Sequence, residues 1–327
     1  MSLIRRLSWL ALGVAFVHSV FGAIVRISGS GMGCGEHWPD CNGVLVPAFT
    51  SYTTVIELTH RCLAATLLGV TGALVVVAWR RARGEVRPEA AAGGEGSVLR
   101  AASLALALEI VAALVGMVVV MLALSSRALI AVHYTIAMAT LATLVVAVQR
   151  AGGLGAAAVH PGDASRRTYR GALAAAGIAF ITVVFGALTA NLPGAAESCL
   201  GFPWCRRAMT DPSGTLPVQI THRVLATLLF LHLLGLAVAI TRRRESPVLV
   251  RAAWTAFGIV VLQIVIAASL VELRLPPVLQ SLHQATGTLV WVAAFALAAL
   301  ARRAASPGVV LRAASPVRPA STAGAIA

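Results

Sequence analysis

The chain has 327 residues, of which 58% are hydrophobic and only 12% charged, and its mean hydropathy is +0.87. A soluble chain carries about 25% charged residues, so the composition argues against a water-soluble globular protein. The net charge of +14 comes from arginine without any lysine, and its dispersal along the chain argues against a nucleic-acid partner, which needs basic residues gathered on one face.

A membrane-spanning helix requires about 20 apolar residues, and eight such stretches are predicted: 8–26, 56–79, 99–123, 128–149, 171–190, 218–240, 250–272 and 277–301. The first follows Arg5 and Arg6 and runs to Arg26 without a small-residue cleavage site, so it reads as a span and not a leader. The loop after it, GSGMGCGEHWPDCNG (29–43), opens on GSGMG (29–33), which superficially resembles a nucleotide-binding turn. That motif needs a preceding strand, and here it follows a membrane helix. The second span opens on ELTHR (57–61), and GEVRPEAAAGGEGS (84–97) links it to the third. The fourth ends at Arg150, and AGGLGAAAVHPGDAS (151–165) forms a second Gly- and Ala-rich linker.

From the fifth span the chain repeats itself. FGALTANLPG (185–194) answers FGAIVRISGSG (21–31), QITHR (219–223) answers ELTHR, LQIVIAASL (262–270) answers LEIVAALVG (108–116), and SLHQATG (281–287) answers AVHYTIA (131–137). Four spans per unit is an even number, so both units start on the same side. The predicted fold is therefore all-α and polytopic, with eight transmembrane helices arranged as two parallel-repeat four-helix bundles. Residues 1–150 form the first bundle, 151–165 a cytoplasmic linker, 166–303 the second bundle, and 304–327 a disordered cytoplasmic tail rich in Ala, Ser and Pro. Arginines cluster at 5–6, 80–100, 150–170, 242–251 and 302–318. Basic residues beside spans mark the cytoplasmic side, which places both termini inside.

Cys34/Cys41 and Cys199/Cys205 fall in loops assigned to the outside, separated by six and five residues. Disulfides persist there, and two local bridges are expected; a zinc site at Cys34, His37 and Cys41 lacks ligands. A redox relay through Cys34/Cys41 is a further reading. Cys62, inside the second span, reads as a small packing residue.

Of eight histidines, His37 and His160 lie in loops, and His18 and His232 occupy spans without a repeat partner. The other four, His60, His133, His222 and His283, open spans 2, 4, 6 and 8 and so share one depth near the outer leaflet. Facing helices of a bundle build cofactor sites, and paired imidazoles at one depth suit the two axial faces of haem iron. Bare copper or zinc lacks third and fourth ligands in either half. Arg61 and Arg223 follow two of these histidines, placed either to snorkel to the interface or to pair with haem propionates.

Glu57 lies three positions before His60, on the same helical face, and its repeat partner is Gln219. A carboxylate within a span is costly and usually functional, although it could also cap the helix start. Only Glu57 can exchange a proton near neutral pH. Glu109 and Gln263 repeat the exchange deeper; Glu109 reads as hydrogen-bonded to a neighbouring helix in preference to a proton-route residue.

The outer-loop run GSGMGCGEHWPDCNG followed by IELTHR (56–61), echoed by a weaker cysteine loop and a second THR, resembles the haem A synthase family across all eight spans. The resemblance implies an oxidoreductase of a bacterial inner (plasma) membrane that oxidises a ring methyl of haem O to a formyl group, giving haem A for haem-copper oxidases. It implies that His222 and His283 hold a resident haem b, that His60 and His133 flank the substrate haem, and that Glu57 is the catalytic carboxylate. It also implies contact with an enzyme making haem O and with an electron-transfer partner. A di-haem electron carrier is the alternative reading of four equivalent histidines, and a transporter is disfavoured by the lack of broken helices at the midplane.

Overall fold

The computed structural model describes residues 2–49, 51–84, 95–208 and 214–306. The expected tail lies almost wholly outside these residues, as does most of the 84–97 linker. Eight helices long and apolar enough to cross a membrane are present among them. These are α1 (Leu3–Ile27), α2 (Tyr52–Gly84), α3 (Glu95–Met121), α4 (Arg127–Arg150), α5 (Arg166–Asn191), α6 (Leu216–Arg242), α7 (Pro247–Glu272) and α8 (Pro277–Ala304). The chain is a multi-pass membrane protein.

Local chemistry sets the helix starts. Ser2, Ser126 and Ser165 accept hydrogen bonds from the backbone N–H groups of Arg5, Leu129 and Thr168, satisfying donors that a helix start leaves free. Proline occupies the first turn of α6, α7 and α8, where its missing N–H costs nothing. The helices extend past the apolar stretches because arginines in the last turns of α2, α4, α6 and α8 complement the C-terminal dipole.

In each half the helices contact one another in the same cyclic order: α1 with α2, α2 with α3, α3 with α4 and α4 with α1, then α5 to α8 likewise. The halves meet where α4 packs on α5 and α8, and α1 on α8. Lipid tails remove the hydrophobic drive between helices, so close approach of small side chains must hold such a seam. Ala172, Ala175, Ala176 and Ala179 of α5 and Ala294, Ala298 and Ala301 of α8 supply it, around Met138, Leu141, Leu144 and Leu297. Polar bonds cross the same seam. Trp291 Nε1 donates to the Met138 carbonyl at 2.9 Å, Gln149 Nε2 to the Ala296 carbonyl at 2.9 Å, and Gln284 Nε2 to the Tyr134 hydroxyl at 2.8 Å. Half of the most apolar window of α8 is buried, against 17% for α7, so α8 is the central post.

The 151–165 segment is more ordered than a bland linker. A short 3-10 turn covers Ala156–Ala158, Val159 is buried, and Gly162 N–H donates to the Ala304 carbonyl at 2.8 Å. It is stitched to the end of α8.

Candidate functional site

His133, His222 and His283 are each the seventh residue of α4, α6 and α8, and His60 is the ninth of α2. The preceding helix seats three of these rings. His222 Nδ1 donates to the Thr182 carbonyl at 3.0 Å, and His133 Nδ1 to the Ala112 carbonyl at 2.9 Å. A carbonyl only accepts, so the proton sits on Nδ1 and Nε2 keeps its lone pair for a metal. Four residues beyond each carbonyl is a glycine. A Cβ on Gly186 would come within 3.0 Å of His222 Cε1, and one on Gly116 within 3.1 Å of His133 Cε1. Gly186→Val should therefore expel the His222 ring. Overpacking of about 1–3 kcal/mol corresponds to roughly fivefold or greater loss of any group held through His222 during purification, with helical content by circular dichroism unchanged.

His283 is held from α7 instead: the Gln263 carboxamide nitrogen lies 3.0 Å from His283 Nδ1 and also donates to the His283 carbonyl at 3.0 Å. The Gln263 oxygen accepts from the Thr286 hydroxyl. For His283 to present Nε2 to a metal, this amide must offer oxygen to Nδ1. His60 departs from all three. It shares the glycine seat, resting on Gly22 as His222 rests on Gly186, but its Nδ1 is buried with no partner among the described residues and it stacks on His18 with centroids 4.3 Å apart and planes at 23°.

A cavity of about 330 Å³ opens between α5, α6, α7 and α8, with His222 and His283 on its wall. Their ring centroids are 6.4 Å apart. A metal bound to two imidazole nitrogens at roughly 2 Å each spaces the ring centres about 6 Å apart, so the separation suits one iron between them. The remaining walls are mostly apolar, among them Val183, Val260, Ile264 and Val290, and two guanidiniums, Arg26 and Arg223, line the same space. Apolar walls, two imidazoles and two cations are side chains that would suit a haem with its two carboxylates. Among the described residues no group of three or more His, Cys, Asp or Glu is arranged to hold a bare metal ion.

The two cysteine-bearing loops are anchored to α2 and α6 by Glu57 and Gln219, both buried. Glu57 Oε2 accepts from Cys34 N–H at 2.8 Å, and Oε1 accepts from Arg61 Nη2 at 2.6 Å. Gln219 Nε2 donates to the Cys199 and Ala196 carbonyls, and its oxygen accepts from Ser198. The anchored residue is thus the first cysteine of each loop, with the sense of the hydrogen bond reversed. The contacts of the Glu57 carboxylate are Arg61 and the loop, not His60. Gly33 leaves no space for a side chain, because a Cβ there would overlap the backbone of Thr53 and Thr54. Cys34–Cys41 and Cys199–Cys205 are disulfide-bonded, which removes the cysteines as zinc ligands.

Arg61 donates to the His37, Pro39 and Asp40 carbonyls as well as to Glu57. Arg223 donates to the Gly201 and Cys199 carbonyls and faces a neutral glutamine where Arg61 faces an acid. Glu109 accepts from the Thr71 hydroxyl of α2 at 2.9 Å, a contact to a neighbouring helix. Cys62 corrects the expectation of a packing residue: it is a free cysteine, exposed on the outer face of α2, because its position in the helical turn points away from the bundle.

Two residues at the site escape repeat-based reasoning, and a third is only half seen by it. His18 and Arg26 correspond to Thr182 and Ala190 and so look unremarked in any comparison of the halves. Gln263 was legible only as the neutral counterpart of Glu109, although a polar side chain at that depth is a signal in itself.

The family model described as COX15-CtaA, cytochrome oxidase assembly protein, matches residues 5–295. Segments of the chain are similar to individual proteins. One of 80 residues, 23% of this chain, is 41% identical to a Staphylococcus aureus protein named heme A synthase and covers 26% of it. One of 61 residues, 19% of this chain, is 46% identical to a Thermus thermophilus protein named protoheme IX farnesyltransferase and covers 10% of it. The chain therefore aligns with about a quarter or less of the length of these relatives. The family match spans nearly everything from α1 to α8, and the chain belongs to the COX15-CtaA family of cytochrome oxidase assembly proteins.

Proposed function

We propose that this protein is a haem A synthase, an oxidoreductase that converts a ring methyl of haem O to a formyl group. The observation that carries the reading is the cavity lined by both His222 and His283, their ring centroids 6.4 Å apart, beside unneutralised arginines. A resident haem b held there would supply electron transfer. The rest of the chemistry falls to the N-terminal half, where His60 and His133 flank the substrate. Oxidising a methyl group removes protons as well as electrons, and that half keeps the ionisable Glu57 where the other has Gln219. Arg61 and Cys34 N–H hold the Glu57 carboxylate in one orientation, which favours a fixed acceptor for a proton or a fixed charge for a cationic intermediate.

His60 lacks the backbone hydrogen bond that fixes His133 and His222, a looser seat suited to a group that must arrive and leave. The long farnesyl tail of haem O accounts for chemistry within a membrane. The arginine bias supports a plasma-membrane protein with both termini cytoplasmic. An enzyme that farnesylates protohaem is the natural supplier, and an electron-transfer protein the natural acceptor.

Expression of the chain in a host that makes haem O but no haem A tests the function directly. Haem A is expected in the extracted pigments. A purified protein that carries b-type haem yet yields none would overturn the assignment.

A further inference from the structure

We propose that Arg26, on α1 of the N-terminal half, is a carboxylate-binding residue of the C-terminal cavity, taking one propionate of the haem there while Arg223 takes the other. The inference rests on the haem reading and extends it across the boundary between the halves.

In the repeat, Arg26 occupies the place of Ala190 on α5. The structure brings these two positions together: Arg26 Nη1 donates to the Ala190 carbonyl at 3.3 Å, and both residues line the cavity that holds His222 and His283. Arg26 is thus an N-terminal side chain inserted into the other half's site. A guanidinium carries five N–H donors, and among the described residues this one has a single hydrogen bond and no ion pair. Arginine inside a span is costly unless it is paired or reaches water. The cavity wall offers no Asp or Glu; its charged residues are Arg26 and Arg223 alone. Arg61, by contrast, is neutralised by Glu57. The C-terminal cavity therefore has two uncompensated cations, and its matching ligand is a flat apolar body with two carboxylates. Arginine matches a carboxylate with two parallel bonds, and the Ala190 carbonyl steadies the guanidinium while leaving its other donors free.

The test compares wild type with Arg26→Gln, Arg26→Lys and the exchange Arg26→Ala/Ala190→Arg, each purified with its haem. Two quantities are read: the midpoint potential of the low-spin haem and the rate of haem transfer to apomyoglobin. Gln can still donate to the Ala190 carbonyl but carries no charge, so a purely structural staple survives in it. Loss of a nearby cation destabilises the reduced haem, so Arg26→Gln should lower the potential. It should also speed transfer by about tenfold or more, as losing a charged hydrogen bond does. Arg26→Lys should keep the potential near that of wild type. The exchange variant, which returns the guanidinium from the second half's own helix, should restore both quantities, and it carries the test if Arg26→Gln does not fold. Unchanged potential and transfer in Arg26→Gln, with the haem still lost on His222→Ala, would overturn the assignment of Arg26 alone. Wild-type protein without any His222-dependent haem would overturn the underlying reading and this inference with it.

Discussion

Glu57→Gln is expected to abolish haem A formation while leaving the b-type haem spectrum of the purified protein intact. The substitution is nearly isosteric, and the second half shows that glutamine is compatible with this setting: Gln219 anchors its own cysteine loop from the related position. A glutamine at 57 can still accept from Cys34 N–H, and Arg61 keeps its three loop carbonyls. Little structural disturbance is therefore expected, even though removing one partner of a buried ion pair can cost about 3–5 kcal/mol. What disappears is a group that can change protonation, worth roughly a hundredfold or more in general acid–base catalysis. Haem A yield per protein and the reduced-minus-oxidised spectrum separate the outcomes. Full activity would mean that Glu57 only fastens the loop to α2.

His222→Ala and His283→Ala should each strip the resident haem, and His60→Ala should not. Changes to groups that merely hydrogen-bond a metal's ligands already cost about 10–100-fold in affinity, so loss of an axial imidazole should weaken retention by at least about a hundredfold. The cavity, the 6.4 Å ring separation and the uncompensated arginines all lie on the C-terminal side. His60, stacked on His18 with no bond to its Nδ1, has a different setting. His60→Ala should preserve the b-type spectrum while removing haem A production. Equal loss of haem in all the variants would instead favour a symmetric di-haem electron carrier.

The spans and the cysteine loops were legible, and the four histidines could be singled out, because each is a repeated or periodic signal. Apolar length alone marks a membrane helix, and duplication sets His60 against His222 without any coordinates. Periodicity does not report what lies across a seam. Nothing in the order of residues shows that Arg26 reaches α5, that His18 covers His60, or that Gln263 holds His283 by both ring and backbone. Only the first joins elements distant in the chain; the other two join consecutive helices whose facing sides the order of residues does not state, and two of the three involve a residue with no like counterpart in the other half. Cys62 was misread although a signal existed: at 100° per residue it falls on the side of α2 away from Glu57 and His60. The loop role of Glu57 needed the backbone position of Cys34, which no spacing rule supplies.

The central place of α8 has a consequence for biosynthesis. This helix contributes His283, the Trp291 bond to α4 and the Ala304 carbonyl that gathers in the segment after α4. It is also the last of the described helices to leave the ribosome. Until it inserts, α4 and α5 lack their common neighbour, and the cavity lacks one of its four helices and one of its two histidines. On the proposed haem reading, loading of that cavity would follow insertion of α8, and nascent chains arrested before α8 should emerge colourless and open to proteolysis.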